Sequence, residues 1–233
     1  MKILVIIPAY NEEENIVNTV TTLKEKCPDV DYVIINDCST DRTEKICEKN
    51  GFNYISLPIN LGIGGGIQTG YRYAYKNGYD VAVQFDGDGQ HNAEYIHDLV
   101  KPIEAGEADM VIGSRFIEKK GFQTSSMRRA GIGVLGFVLR ICGGGKITDA
   151  TSGFRATSRE VTKFFSANYA QDYPEPESII AASVSGFKIK EVPVIMNDRT
   201  AGVSSISPFK SVYYMIKVTL AILIYRLVGK KWR

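Results

Sequence analysis

The sequence predicts an α/β fold, a mostly parallel sheet flanked by helices, with an amphipathic helix at its C-terminal end. Three observations carry this. Short β-branched apolar runs alternate with stretches of helical periodicity four times before His91, which is the pattern of strands joined by right-handed crossovers. Lys2 to Ile7 is apolar from Ile3 on rather than alternating, as a strand covered on both faces must be. Finally, polar clusters follow the runs, at the sheet edge where such folds take their ligands.

Taken in order, Lys2 to Ile7 reads as the first strand. Asn11 can cap the helix that follows, with Glu12 to Glu14 at its positive end and Ile16, Val20 and Leu23 as its inner stripe. Asp31 to Ile35 is the second strand, and Asp41 caps a helix running to about Asn50. Phe52 to Leu57 and Tyr79 to Phe85 are the next strands, separated by a helix from Gly64 to Asn77. Asn92 caps a helix to Glu104, with Ile96, Leu99, Val100 and Ile103 at helical spacing. Asp109 to Gly113 is a further strand. Between Ser125 and Cys142, the stripe Ile132, Leu135, Val138, Leu139 faces the core or a lipid acceptor, and Gly143 to Gly145 ends that helix. Lys188 to Val194 is the last strand.

The bulk composition, 44% hydrophobic and 23% charged over 233 residues, is that of a globular chain with a substantial core. The net charge of +2 conceals an asymmetry: Lys210, Lys217, Arg226, Lys230, Lys231 and Arg233 have no acidic neighbour after residue 207, so residues 1–207 carry a net negative charge. We therefore divide the chain into a domain over 1–207 and a basic amphipathic helix over 208–233. Its unbroken apolar part, Val218 to Tyr225, is far shorter than the ~20 residues of a membrane span. Basic flanks and Trp232 suit a helix lying on an anionic membrane surface or docking on a small membrane protein; a helix covering the sheet is the alternative. Cys27, Cys38, Cys47 and Cys142 have no paired spacing, so a reducing, cytoplasmic location is expected, peripheral on the inner face of the cell membrane.

The chemistry concentrates in Asp86-Gly87-Asp88-Gly89-Gln90-His91. Two carboxylates at i and i+2 in extended backbone point to the same side, and together they can reach one hard cation such as Mg²⁺ or Mn²⁺. A tight Asp-Gly hairpin is the competing explanation, but a helical pattern follows instead of a second strand. His91 is expected as a solvated residue at the start of that helix, and His97 as structural. Gly62 to Gly66 does not match a phosphate-loop or dinucleotide fingerprint; the glycines from Gly64 to Gly70 instead allow a helix to approach the sheet.

Six blocks, in order, carry a resemblance: Ile7-Pro8-Ala9-Tyr10-Asn11-Glu12, Ile35 to Asp41, Asn60-Leu61-Gly62, Asp86 to His91, Gly113-Ser114-Arg115, and Asp149 to Arg155. Together the sequence resembles glycosyltransferase family 2, with its Rossmann-like GT-A fold, and in particular the polyprenyl-phosphate branch. The resemblance implies that Pro8, Ala9, Tyr10, Glu12, Asp37, Gly62, Asp86, Gly87, Asp88 and Arg199 bind a UDP- or GDP-sugar. It also implies that Asp86, Asp88 and Gln90 hold the metal. Arg115, with Arg128, Arg129 and Ser204, is expected at the acceptor phosphate, since guanidinium forks match phosphate oxygens. The resemblance also places Asp149 near the reacting sugar and an acidic general base at Glu177, with Asp172 and Glu175 as alternatives; a base is essential only for a hydroxyl acceptor. Ser205 departs from the branch pattern, which has lysine there, and no serine stands at Ile132 or Gly133.

The implied activity is metal-dependent, inverting hexosyl transfer to polyprenyl phosphate. Transfer to a hydroxyl of a cell-surface glycan, or a non-catalytic sugar-nucleotide-binding scaffold, are the alternatives. Partners expected are donor, acceptor and membrane, with no nucleic acid; self-association is left open.

Overall fold

The computed structural model describes residues 1–118, 120, 126–197 and 208–228, with backbone alone at 126–128 and 208–213. Arg199, Ser204, Ser205 and Trp232, and the side chain of Arg128, lie outside the described residues. Strands β1 (Ile3–Ala9), β2 (Asp31–Asn36), β3 (Tyr54–Ser56), β4 (Val81–Gln84), β5 (Met110–Ser114), β6 (Arg155–Ser158) and β7 (Ile189–Pro193) form one sheet in the order β3-β2-β1-β4-β6-β5-β7. Every pairing is parallel except those of β6, which runs antiparallel to both β4 and β5.

β1 is the buried axis of the sheet, and all seven of its residues are covered. Alternation of side chains along an extended backbone sends Leu4 and Ile6 to one face and Ile3, Val5 and Ile7 to the other. Each set enters a different core cluster. On the second face, α1 (Ile16–Lys26) and α4 (Ile96–Glu104) supply Ile16, Val20, Leu23, Ile96, Leu99 and Val100. On the first face, α3 (Gly62–Lys76), α6 (Arg159–Ala167) and α7 (Pro174–Val184) contribute Ile67, Tyr71, Phe164, Phe165, Ile179 and Ile180. Each such aliphatic or phenyl side chain contributes roughly 1.5–3 kcal/mol by leaving water. The glycines of α3 are what permit its approach: a Cβ on Gly70 would lie 2.2 Å from Ile6 Cγ2, and one on Gly64 2.3 Å from the Ala170 carbonyl oxygen.

Two expectations are corrected and one pair of elements is added. Asn11 does not cap α1, which begins five residues later. Its backbone has φ +58°, and its side-chain oxygen accepts from the Thr40 N–H at 2.8 Å, tying the first loop to the second. β6 and α6 were not read from the sequence: the strand carries a buried arginine in place of an apolar run. His91 is only 5% exposed, not solvated. Asp41, by contrast, stands at the start of α2 (Thr43–Lys49), accepting from the Thr43 N–H at 2.8 Å. The 3-10 turn Ala93–Tyr95 leading into α4 is capped by Asn92, which accepts from the Glu94 N–H.

The stripe Ile132, Leu135, Leu139 on α5 (Ser126–Ile141) faces the core. The tail forms α8 (Pro208–Val228), whose Val218 and Ile222 are fully buried in the same cluster as α5 and α7. A Cβ on Gly131 would lie 3.4 Å from Met215 Sδ and one on Gly143 3.7 Å from Arg226, so α5 and α8 run alongside each other in the same direction. Away from this contact the pair exposes apolar side chains, Val134, Phe137 and Ile141 on α5 and Ile216, Leu220, Ile224 and Leu227 on α8. Among the described residues no helix is long and apolar enough to cross a membrane.

Candidate active site

The loops following β1, β2 and β4, together with the start of α3, enclose a cleft of about 370 Å³. Pro8, Ala9, Tyr10, Glu12, Asp37, Gly62, Asp86, Gly87 and Asp88, all singled out in the sequence, line it, joined by Asn60, Ile63 and Gly66. The walls are stitched to one another. Asp37 accepts from the Leu61 N–H at 2.7 Å, Asn60 Nδ2 donates to the Asp37 carbonyl at 3.0 Å, and the Glu12 N–H donates to Thr43 Oγ1 at 2.9 Å. Asn15 Nδ2 in turn donates to Glu12 Oε2 at 2.8 Å. Tyr10 is half exposed at the rim, its ring available to a planar ligand.

Asp86 follows β4 after the single residue Phe85. Its N–H donates to His91 Nδ1 at 2.9 Å, which leaves the imidazole proton on Nε2, 3.5 Å from Asp86 Oδ2. The ring is held by stacking on Phe154, with centroids 4.7 Å apart, and by the edge of Phe85. Burial holds the His91 pKa below its ordinary value, with Asp86 and Asp88 opposing. Gln84 Nε2 lies 3.4 Å from Asp86 Oδ1. Asp88 Oδ1 accepts from the Gln90 N–H at 3.0 Å, and the turn is anchored by Thr19 Oγ1 donating to the Gly87 carbonyl and Asn197 N–H to that of Gln90. Among the described residues no three His, Cys, Asp or Glu side chains gather as a metal cluster. Asp86 and Asp88 on one wall of the cleft nonetheless fit a hard divalent ion.

Arg115 and Asp149 are brought together. Arg115 donates to Asp149 through Nε at 2.7 Å, Nη2 at 2.7 Å and its backbone N–H at 3.2 Å, and both side chains are buried. This is a bidentate, desolvated pair. Asp149 therefore orients Arg115. Arg129 lies over the Phe116 ring at 4.1 Å and Arg115 at 5.2 Å, so two guanidinium groups flank one phenyl ring.

None of the three acids near α7 lines the cleft. Glu177 is half-buried on α7 and does not line the cleft; burial and then Asp172 push its pKa up, with Lys217 opposing. Asp172 is paired with Lys217 of α8. Burial pushes the Glu175 pKa up, with Arg155 opposing.

Two residues were missed as organisers. Arg155 is fully buried and spends its donors on the Ser152 carbonyl at 2.6 Å, the Glu175 carbonyl at 2.7 Å, Ser178 Oγ at 2.6 Å and the Ala150 carbonyl at 3.3 Å, fastening the 149–153 loop to α7. Glu191 binds the other end of that loop. A charge inside an antiparallel strand leaves no periodic signal; the only hint to Arg155 was its place in the Asp149 to Arg155 block.

A family model described as glycosyl transferase family 2 matches residues 4–165. The chain belongs to that family. It is a glycosyltransferase with a GT-A-like, mostly parallel sheet. It is 34% identical over 213 residues to a UDP-N-acetylglucosamine–dolichyl-phosphate N-acetylglucosaminyltransferase of Methanococcus voltae, covering 82% of this chain and 84% of that one. It is 30% identical to the polyprenol monophosphomannose synthase of Mycolicibacterium smegmatis, covering 88% and 80%. Among solved structures, glucosyl-3-phosphoglycerate synthase of Mycobacterium tuberculosis, in complex with Mn²⁺, UDP and phosphoglyceric acid, superposes with a TM-score of 0.73 at 22% identity, covering 98% and 79%.

Proposed function

We propose that this glycosyltransferase moves a hexose from a UDP- or GDP-sugar to polyprenyl phosphate, with inversion, at the cytoplasmic face of a membrane. The observation that carries the reading is that Asp86 and Asp88 line one cleft with the nucleoside-side residues Tyr10, Glu12 and Asp37. Relatives named for transfer to dolichyl or polyprenyl phosphate support the acceptor, and a neighbour solved with UDP and Mn²⁺ supports the donor and cofactor.

In this mechanism Tyr10, Glu12 and Asp37 bind the nucleoside while Asn60 and Gly62 close the cleft beside it. Asp86 and Asp88, with Gln90, would hold Mg²⁺ or Mn²⁺, which when bound neutralises charge on the diphosphate leaving group. Arg115, aimed by Asp149, and Arg129 hold the acceptor phosphate, with Arg128 and Ser204 as further contacts to it and Arg199 at the donor diphosphate. A phosphate oxygen attacks the anomeric carbon as the bond to the nucleoside diphosphate breaks on the opposite side. A phosphate monoester, with a second pKa of about 6, is already anionic near neutrality, so no general base is required. This agrees with Glu177 standing off the cleft and Asp172 being engaged by Lys217.

The exposed apolar residues of α5 and α8, among Lys217 and Arg226, fit a membrane surface carrying a lipid-linked acceptor. Transfer of radiolabelled sugar from a panel of UDP- and GDP-sugars to a short-chain polyprenyl phosphate, with and without Mn²⁺, tests the proposal. Transfer to saccharide hydroxyls with none to the lipid phosphate would overturn it in favour of a glycan acceptor.

A further inference from the structure

Arg115 sits between two hydrogen-bond paths that end on one carboxylate. Along the first, the Phe116 N–H donates to Ser114 Oγ at 3.1 Å, Ser114 Oγ lies 2.7 Å from Thr148 Oγ1, and Thr148 Oγ1 donates to Glu191 Oε2 at 3.0 Å. Because the carboxylate only accepts, the direction is fixed: the Thr148 hydroxyl gives its proton to Glu191 and accepts the one from Ser114. Along the second, Arg115 grips the Asp149 carboxylate, and the Asp149 N–H donates to Glu191 Oε1 at 2.9 Å. The Thr148 N–H adds a further bond to Oε2 at 2.8 Å. Glu191 thus holds the backbone that carries Asp149 and, through the hydroxyls, both chain neighbours of Arg115.

The anchor is itself firm. Glu191 lies on β7, opposite Ile112 of β5, the strand that runs directly into Arg115. Arg155 fastens the exit of the same loop, so an anion holds amides at the entrance and a cation holds carbonyls at the end.

We propose that Glu191 is a positioning residue for the acceptor phosphate, acting through Asp149 and Thr148 on the aim of the Arg115 guanidinium. This rests on the reading of Arg115 as an acceptor-phosphate group. Glu191→Gln keeps the shape but puts an NH₂ group, which cannot accept, against either the Asp149 N–H or the two Thr148 donors. The expected result is a KM for short-chain polyprenyl phosphate raised roughly tenfold or more, since bonds to a charged group are among the stronger ones. Binding of UDP with Mn²⁺, measured by calorimetry, stays within about twofold because Glu191 does not line the donor cleft. Thr148→Val, at an exposed position, cuts only the hydroxyl path and raises the same KM by a smaller factor, which keeps the test open should Glu191→Gln fold poorly.

In an Arg115→Lys background the Glu191→Gln effect on acceptor KM shrinks to less than about twofold, because residues acting through one group are non-additive. Full additivity in that cycle, or loss of kcat, donor binding and melting temperature together with no separate change in acceptor KM, would overturn the proposal. Arg115→Lys with an unaltered acceptor KM, beside a Glu191→Gln variant that does raise it, would overturn the assignment of Arg115 instead.

Discussion

Asp149→Ala is the sharpest test of how the acceptor side is built. Asp149 is fully buried and accepts two side-chain bonds of 2.7 Å from Arg115, itself 9% exposed. Two charge-assisted bonds at roughly 1.5–3 kcal/mol each, and the cost of leaving a guanidinium buried without its counter-charge, converge on a loss of about 3–5 kcal/mol. Against a typical total stability of about 5–15 kcal/mol this is severe, and at about 2–4 °C per kcal/mol for a chain of this size it lowers the melting temperature by about 6–20 °C. The companion variant Arg115→Met/Asp149→Leu removes both charges and should recover most of the loss, since an apolar pair of similar volume replaces a buried ion pair at little or no cost. It should still fail to transfer sugar to lipid phosphate. Urea denaturation of Arg115→Met, Asp149→Leu and the double variant, beside Asp149→Ala, measures the cycle. A cost below about 1 kcal/mol for Asp149→Ala, or a double variant no more stable than the single, would refute the buried-pair account.

Further outcomes are expected at the acidic loop and on α7. Asp86→Asn or Asp88→Asn should reduce turnover at least about 10²-fold and abolish the Mn²⁺-dependent thermal shift with UDP; ligand-free melting changes little for Asp86→Asn, whose side chain makes, among the described residues, long contacts of 3.4 and 3.5 Å to Gln84 and His91. Gly153→Ala places a Cβ 2.9 Å from Gln84 Nε2 and 3.0 Å from Asp86 Oδ2; displacement of that carboxylate should lower kcat about tenfold or more, and an unchanged kcat would show that Asp86 tolerates the shift. Burial and Asp172 raise the Glu177 pKa on folding, so its ionised form opposes folding above that raised value and ceases to as pH falls through it. Glu177→Gln should therefore stabilise the protein at pH 8, lose that advantage near pH 4, and keep near-normal transfer to lipid phosphate; melting scans across pH and a transfer assay check both.

Legibility in the sequence followed physical kind. β1 could be read because a strand covered on both faces has no freedom to be polar, and Asn92 because its cap is local chemistry. The residues that line the cleft could be grouped because they fall in short blocks just after strands, where chain order and spatial order coincide. Elsewhere they part company. β6 pairs residues far apart in the chain, Gln84 with Arg155, and a buried arginine satisfied by carbonyls looks like any surface arginine on paper. His91 read as solvated because nothing nearby in the chain announces Phe154, its stacking partner. Asn11 read as a cap because the residue type suits one, whereas its positive φ turns the side chain toward the Thr40 loop.

The reversed direction of β6 has a consequence for how the reaction edge is built. A parallel strand offers the reaction edge only the segment that leaves it; β6, running backwards beside β4, offers the segment that enters it, so the stretch ending in Phe154 meets the one beginning at Phe85 face to face. On the function proposed above, donor and acceptor would be read by segments of opposite polarity on adjoining strands. That entering segment is held at Thr148 and Asp149 by Glu191 of β7 and at Ala150 and Ser152 by Arg155 of β6, so the sheet, rather than the helix it leaves, sets its course.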